Sequence, residues 1–224
     1  MFVKVCGTTS EEDALLAVAV GADALGFIFA PSPRQVAVER VRSIVSRLPP
    51  EVLTVGVFRD EAPSRVVELV HRGRVKAAQL HGHEGPEDTR YVHEHVPIVF
   101  KSFSAGDPEV ASAADHGADA ILLDAAVPGS GAVFDWRLAE DAPERLRLVL
   151  AGGLGPDNVA SAIERVRPWG VDACSGLEAS PGRKDPAKLR AFLSAARAAA
   201  PSEHHGGEER PYDWESELLS SRSR

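Results

Sequence analysis

Two reactive side chains close apolar runs in this chain: Cys6 ends "FVKVC" and Asp124 ends "AILLD". A free thiol has a pKa of about 8.5, near enough to neutrality that a modest lowering makes it a proton acceptor. A carboxylate straight after "AILL" sits at the end of a buried strand and should face the mouth of the fold. On these residues alone each keeps a plainer role, Cys6 as a small buried hydrophobe and Asp124 as a loop brace or helix cap.

Two glycine-bearing turns come late in the chain. "AGGLGPDNV" carries Gly152 and Gly153, and "CSGLEASPG" carries Ser175 and Gly176. Glycine lets backbone N–H groups approach an anion without a Cβ in the way, so the pair reads as a phosphate cradle or as two tight strand-to-helix turns. "HGHE" (His81–Glu84) has the look of a metal motif. It lacks a third ligand at a convincing spacing, and histidines lining a mouth or surface are the better reading.

The elements that must position these groups follow from periodicity. Strands are expected at Phe2–Cys6, Ala24–Phe29, Leu53–Phe58, Ala77–Leu80, within "PIVFKSF", at "DAILLD" ending on Asp124, within "RLRLVLAGG" and within "GVDACSG". Helices are expected after each. The first is capped by Ser10 with Ala14, Leu15, Val18 and Ala19 on one face; later ones are Val38–Leu48, Ala62–His71, one from Pro86, Pro108–His116, Asp157–Val166 and Pro186–Ala199. Eight strand–helix units predict an α/β fold, a closed parallel (β/α)8 TIM barrel in one domain, residues 1–200. An open doubly wound sheet is the alternative. "GADALGF" and "GADAILL" stand at matching helix-to-strand seams, as an internal repeat or as a common helix-stop turn.

In a barrel of this kind the active site lies at the carboxyl ends of the strands. Those ends carry Cys6, the Ser32–Arg34 segment, Arg59 and Asp60, Gln79 with His81, Lys101 with Ser102, Asp124, Gly152 with Gly153, and Asp172 with Ser175 and Gly176.

The totals restrict the class. The chain has 224 residues, 44% of them hydrophobic, with a formal charge of −8. An acidic balance argues against a nucleic-acid partner. No apolar run reaches the roughly 20 residues of a membrane span, and no secretory leader is legible at the start. Two cysteines do not make a disulfide framework. A cytoplasmic protein is expected. After Ala200 the sequence is polar and aperiodic, which predicts a disordered tail over 201–224, with Tyr212, Trp214, Leu218 and Leu219 as scattered apolar residues or a short docking motif.

Taken in order, "VKVCG", "GADALGFIFAPSPRQV", "VGVF", "QLHG", "ILLD" followed by "FDW", "AGGLGPDNV" and "VDACSGLEASPGRKD" resemble the phosphoribosylanthranilate isomerase family of the tryptophan pathway, from Val3 to about Ala200. The resemblance implies a TIM barrel that carries out an Amadori rearrangement. The substrate would be N-(5-phosphoribosyl)anthranilate and the product 1-(2-carboxyphenylamino)-1-deoxyribulose 5-phosphate. It further implies Cys6 as the base, Asp124 as the acid, Arg34 as the reader of the anthranilate carboxylate, and Gln79, His81 and Asp172 as substrate contacts. Phosphate would lie on Gly152, Gly153, Ser175 and Gly176. No metal and no cofactor is implied, and the chain would act as a monomer or homodimer.

Two departures from the family pattern stand out. The link "AAVPGSGAV" after Asp124, with Gly129, Ser130 and Gly131, is shorter than usual, and Cys174 replaces a small hydroxyl residue or alanine. Strands one and eight adjoin in a closed barrel, so Cys174 is expected near Cys6, which leaves an inhibitory disulfide open. The rival readings are another phosphosugar enzyme on the same barrel, an epimerase or synthase, and a barrel that binds without catalysis.

Overall fold

A computed structural model describes residues 1–125, 135–139, 142 and 146–201. Its eight principal strands are β1 (Phe2–Val5), β2 (Ala24–Ile28), β3 (Leu53–Phe58), β4 (Ala77–Leu80), β5 (Ile98–Ser104), β6 (Ala120–Asp124), β7 (Leu148–Leu150) and β8 (Gly170–Ala173). They close into a barrel in chain order, every neighbouring pair parallel, with β1 returning to β8 in the register Val5↔Ala173. Both faces of each strand are covered, which is why "LTVGVF" in β3 is buried at all six positions.

Side chains alternate along a strand, and the alternation builds the site. Phe2, Leu53, Val55, Phe100, Leu122, Val149 and Trp169 belong to an apolar cluster inside the barrel. The Phe2 ring stacks 4.5 Å from Trp169 and 6.2 Å from Phe100. Each ring so buried is worth about 1.5–3 kcal/mol. Two residues further along the same strands the interior turns polar. Lys4 and then Cys6 follow Phe2, Gln79 follows Ala77, Asp124 follows Leu122 and Asp172 follows Gly170, and all five are buried.

The outer layer consists of α1 (Glu11–Ala19), α2 (Val38–Val45), α3 (Pro63–Gly73), α4 (Pro86–His95), α5 (Val159–Val166) and α6 (Pro186–Ala198). Ser10 caps α1 as expected, its Oγ accepting from Asp13 N at 3.1 Å. The expected apolar face of α1 is corrected. Ala14 and Ala17 face the core with Asp13, and Leu15 is 41% exposed. Small residues let this helix lie close to the strands, whereas a leucine there would hold it off. Pro108–His116 is a 3-10 segment kinked at Ser112 rather than an α-helix, and a further 3-10 turn covers Trp136–Ala139.

The two "GAD" turns do the same work. Asp23 Oδ2 accepts from Val3 N at 2.7 Å, and Asp119 Oδ2 accepts from Val99 N at 2.8 Å. Each aspartate, at the mouth of one strand, satisfies an N–H at the start of the strand before it. Arg197 and His93 pair with these carboxylates, at 2.8 and 3.0 Å.

One element was not foreseen. After β8, β9 (Glu178–Ser180) and β10 (Arg183–Lys184) form a small antiparallel hairpin over the barrel mouth. The shortened link with Gly129, Ser130 and Gly131, and the tail with Tyr212, Trp214, Leu218 and Leu219, lie outside the described residues.

Candidate active site

Cys6 and Cys174 leave adjacent strands side by side, and both are free thiols. The Cys174 thiol donates to the Cys6 sulfur, which lowers the Cys6 pKa well below the ordinary thiol value. Burial opposes that shift, and the cations Lys4 and Lys184 together with His81 add to it. The Cys174 pKa moves up for the same reason, since losing its proton would set two anions against each other in a buried place. Of the two sulfurs, Cys6 is the one drawn toward the anion and Cys174 the one held as the thiol.

Two lysines surround that sulfur. Lys4 Nζ lies 3.0 Å from Asp172 Oδ2 inside the barrel. Burial works against the lysine's charge, but Asp172 and Cys6 more than offset it and its pKa is raised. Lys184 arrives from β10 and is buried. Its Nζ donates to Cys6 O at 2.6 Å and Cys174 O at 3.2 Å, and pairs with Glu178 Oε1 at 3.3 Å. Its backbone N donates to Asp13 Oδ2 at 3.1 Å, which accounts for the buried aspartate on α1. The hairpin thus clasps the backbone of both cysteines.

Asp172 is the most perturbed carboxyl group here. Burial pushes its pKa up to about 7 against the pull of Lys4, and the negative charges of Cys6 and Asp124 push the same way. Its Oδ1 is buried with no hydrogen-bond partner among the described residues.

Across the mouth, Asp124 closes β6. Its Oδ1 accepts from Ala125 N at 2.7 Å, and its Oδ2 stands 3.2 Å from His81 Nε2. Gln79 Nε2 lies 2.8 Å from His81 Nδ1. With the amide donating, Nδ1 accepts, and Nε2 is the ring nitrogen turned toward Asp124. Gln79 Oε1 is buried without a partner among the described residues. Such an atom costs about 1–3 kcal/mol, which a ligand hydroxyl would relieve. A cavity of about 150 Å³ opens beside Asp124, lined among others by Arg59, His81, Ser102 and Ser104. Cys6 and Asp172, at β1 and β8, do not line this cavity.

Arg34 is committed in part. Its Nε and Nη2 donate to the two carboxylate oxygens of Glu178 at 2.8 and 2.7 Å, a fork that raises the arginine pKa. This pair ties the segment after β2 to the hairpin and leaves the Nη1 corner to meet a further carboxylate. Sequence reasoning did not find Glu178, which is 144 residues from its partner.

The two glycine turns pack backbone to backbone. Gly152 and Gly153 have φ of 82° and 63°, the left-handed region that favours glycine. A Cβ on Gly176 would collide with the Leu154 carbonyl oxygen. Ser175–Leu177 is a short 3-10 turn, and Asn158 braces the other turn, accepting from Gly155 N at 2.9 Å and donating to Gly153 O at 3.0 Å. The two turns meet at Leu154 and Gly155 on one side and Gly176 on the other.

"HGHE" has a bracing role. Glu84 accepts from Asp60 N and Gly82 N, both at 2.9 Å, and pairs with buried Lys101 at 3.1 Å; His83 bonds Asp60 at 3.1 Å. Lys101 also donates to Gly82 O at 2.7 Å. It fixes the loop that presents His81.

The chain matches the family model described as N-(5'phosphoribosyl)anthranilate (PRA) isomerase over residues 3–195. The N-(5'-phosphoribosyl)anthranilate isomerase of Desulforudis audaxviator is 47% identical over 201 residues, which are 88% of this chain and 98% of that one. The crystal structure of phosphoribosyl anthranilate isomerase from Thermus thermophilus superposes with a TM-score of 0.84 at 42% identity, covering 88% of this chain and 99% of that one. A family structure in complex with reduced 1-(o-carboxyphenylamino)-1-deoxyribulose 5-phosphate superposes with a TM-score of 0.77 at 39% identity, covering 88% and 99%.

Proposed function

The chain belongs to the N-(5'-phosphoribosyl)anthranilate isomerase family, and from that footing we propose how its own residues carry the reaction. The activity is the isomerisation of N-(5'-phosphoribosyl)anthranilate to the aminoketose in tryptophan biosynthesis. We assign Asp124 as the acid. It protonates the furanose ring oxygen, the C1–O bond breaks, and the anthranilate nitrogen supplies the electrons of a protonated Schiff base. We assign Cys6 as the base. Its thiolate removes the proton from C2, and those electrons form the enolamine, which tautomerises to the ketone. Each such transfer contributes about 10²–10⁴-fold.

The observation that carries this reading is the shared interior face. Cys6 and Asp124 lie on the apolar barrel's polar end, one beside cations that favour its anion, the other against His81. Gln79 and Asp172 offer the sugar hydroxyls two buried oxygens that have no partner among the described residues. Arg34 meets the anthranilate carboxylate with Nη1, held square by Glu178. The backbone turns at Gly152, Gly153, Ser175 and Gly176 take the phosphate. The acidic balance, the two free thiols and the absence of any described helix long and apolar enough to cross a membrane support a cytoplasmic setting. The protein would work there as a monomer or homodimer.

The test is the loss of phosphoribosylanthranilate fluorescence in the presence of the wild-type chain and of Asp124→Asn. Turnover by the first and its loss in a folded second support the assignment. Near-wild-type kinetics in the variant would remove Asp124 from the mechanism.

A further inference from the structure

Lys4 is a buried cation that the reaction as derived does not use. It shares the inward face of β1 with Phe2 below and Cys6 above, and no ordinary strand of the core needs an ammonium there. Gly26 on β2 explains how it fits. A Cβ at Gly26 would stand 2.7 Å from Cys6 Sγ and 3.2 Å from Lys4 Nζ, so the sulfur and the ammonium both use the space that glycine leaves open. Lys4 Nζ also stands 3.0 Å from Asp172 Oδ2. One ammonium therefore serves two acidic groups, a thiol and a carboxyl.

Resting on the reading of Cys6 as the base, we propose that Lys4 is a positioning residue for the rearrangement: its ammonium is the shared counter-ion of Cys6 and Asp172, and it holds the Cys6 sulfur as an anion aimed at the sugar carbon. A buried charge without a partner is costly, and removing one member of such a pair is strongly destabilising. Lys4 accordingly requires one anion nearby. Asp172 meets part of that charge at 3.0 Å, although its burial favours the neutral carboxyl group, and the Cys6 sulfur, sharing the space at Gly26, supplies the rest.

The other groups facing Cys6 leave this role to Lys4. Lys184 from β10 and Arg34 after β2 share the single carboxylate of Glu178, so the positive charge left over there supports Lys4 from the far side of the sulfur. Cys174 after β8 offers a neutral thiol. His81 after β4 is engaged by Gln79 and Asp124, and Asp124 on β6 is itself an acid. When Cys6 takes the C2 proton it becomes neutral, and Asp172 remains beside Lys4 to share the ammonium's charge.

The experiment measures iodoacetamide alkylation of Cys6 against pH, resolved from Cys174 by peptide mass, in the full chain. Comparing one site across pH cancels its limited access. Lys4→Met, close in shape and uncharged, should move the midpoint of Cys6 reactivity up by at least one pH unit. Its kcat/KM at pH 7 should fall tenfold or more and recover towards wild type above pH 9, which a merely structural defect would not do. Asp172→Asn leaves Cys6 as the only anion for Lys4, and should move the midpoint down; this second variant decides the matter if Lys4→Met does not fold. A midpoint unchanged in either folded variant overturns the proposal. A low midpoint in wild type with full activity in Cys6→Ala would instead overturn Cys6 as base, leaving the electrostatic pairing intact.

Discussion

The two sides of the barrel mouth are built from different chemistry. Around β1 and β8, two buried lysines and a neighbouring thiol converge on one sulfur, and the backbone that carries it is clasped by a hairpin. Around β4 and β6, a carboxyl group meets a histidine that an amide holds, next to an open cavity. The first side favours an anion that must accept a proton. The second sets the proposed acid beside an open cavity. The difference fits the proposed roles: a base works best charged and sheltered, an acid within reach of a proton source.

Deleting either side should have the largest effects. Asp124→Asn should lower kcat by about 10²–10⁴-fold, with circular dichroism unchanged. On the opposite side, Cys6→Ser should lose less than Cys6→Ala, since a hydroxyl can still accept a proton weakly; equal losses would argue that the sulfur's anion is not what the site uses. Steady-state kinetics on the two variants decides this.

A smaller effect separates binding from proton transfer. Arg34→Lys loses the fork to Glu178 and one charge-assisted contact to substrate, about 1.5 kcal/mol, so KM should rise about tenfold while kcat changes little. An unchanged KM would argue against contact with the anthranilate carboxylate.

A further effect sharpens the base side through stability rather than activity. Asp172 keeps its proton to about pH 7 in the native chain, whereas an ordinary aspartate releases it near 3.8. Between those values the native state binds more protons than the unfolded state, so this group's contribution is fully present below 3.8 and is lost as pH rises through 7. Asp172→Asn should remove that fall. Urea unfolding of both chains at pH 4, 5.5 and 7 measures it, and parallel slopes would contradict the assignment.

Much of this architecture was legible in the sequence because its strands are apolar and sharply bounded. β3, β4 and the end of β6 fall where the pattern puts them, and α4 begins at Pro86 as expected. Cys6, Gln79, His81, Asp124 and Asp172 all reach the polar end of the interior, since strand ends and alternation fix their direction. The rest depended on distant partners. The hairpin segment "EASPGRK" is polar and reads as loop; Lys184, Glu178 and Arg34 hold it in place through contacts with residues far along the chain. Leu15 misled because an alanine-rich helix has little apolar stripe to orient it. Lys4 drew no reading from the sequence. Its parity with Phe2 and Cys6 was the available signal, and only the open space at Gly26 shows why a cation can stay there.

The most direct measurement is kcat and KM of Cys6→Ala by the disappearance of phosphoribosylanthranilate fluorescence at pH 7. The account predicts a kcat lower by about 10²-fold or more, with KM within a few-fold of wild type and the fold retained. A kcat close to wild type would mean that another group removes the C2 proton, and the charged side of this mouth would need a different explanation.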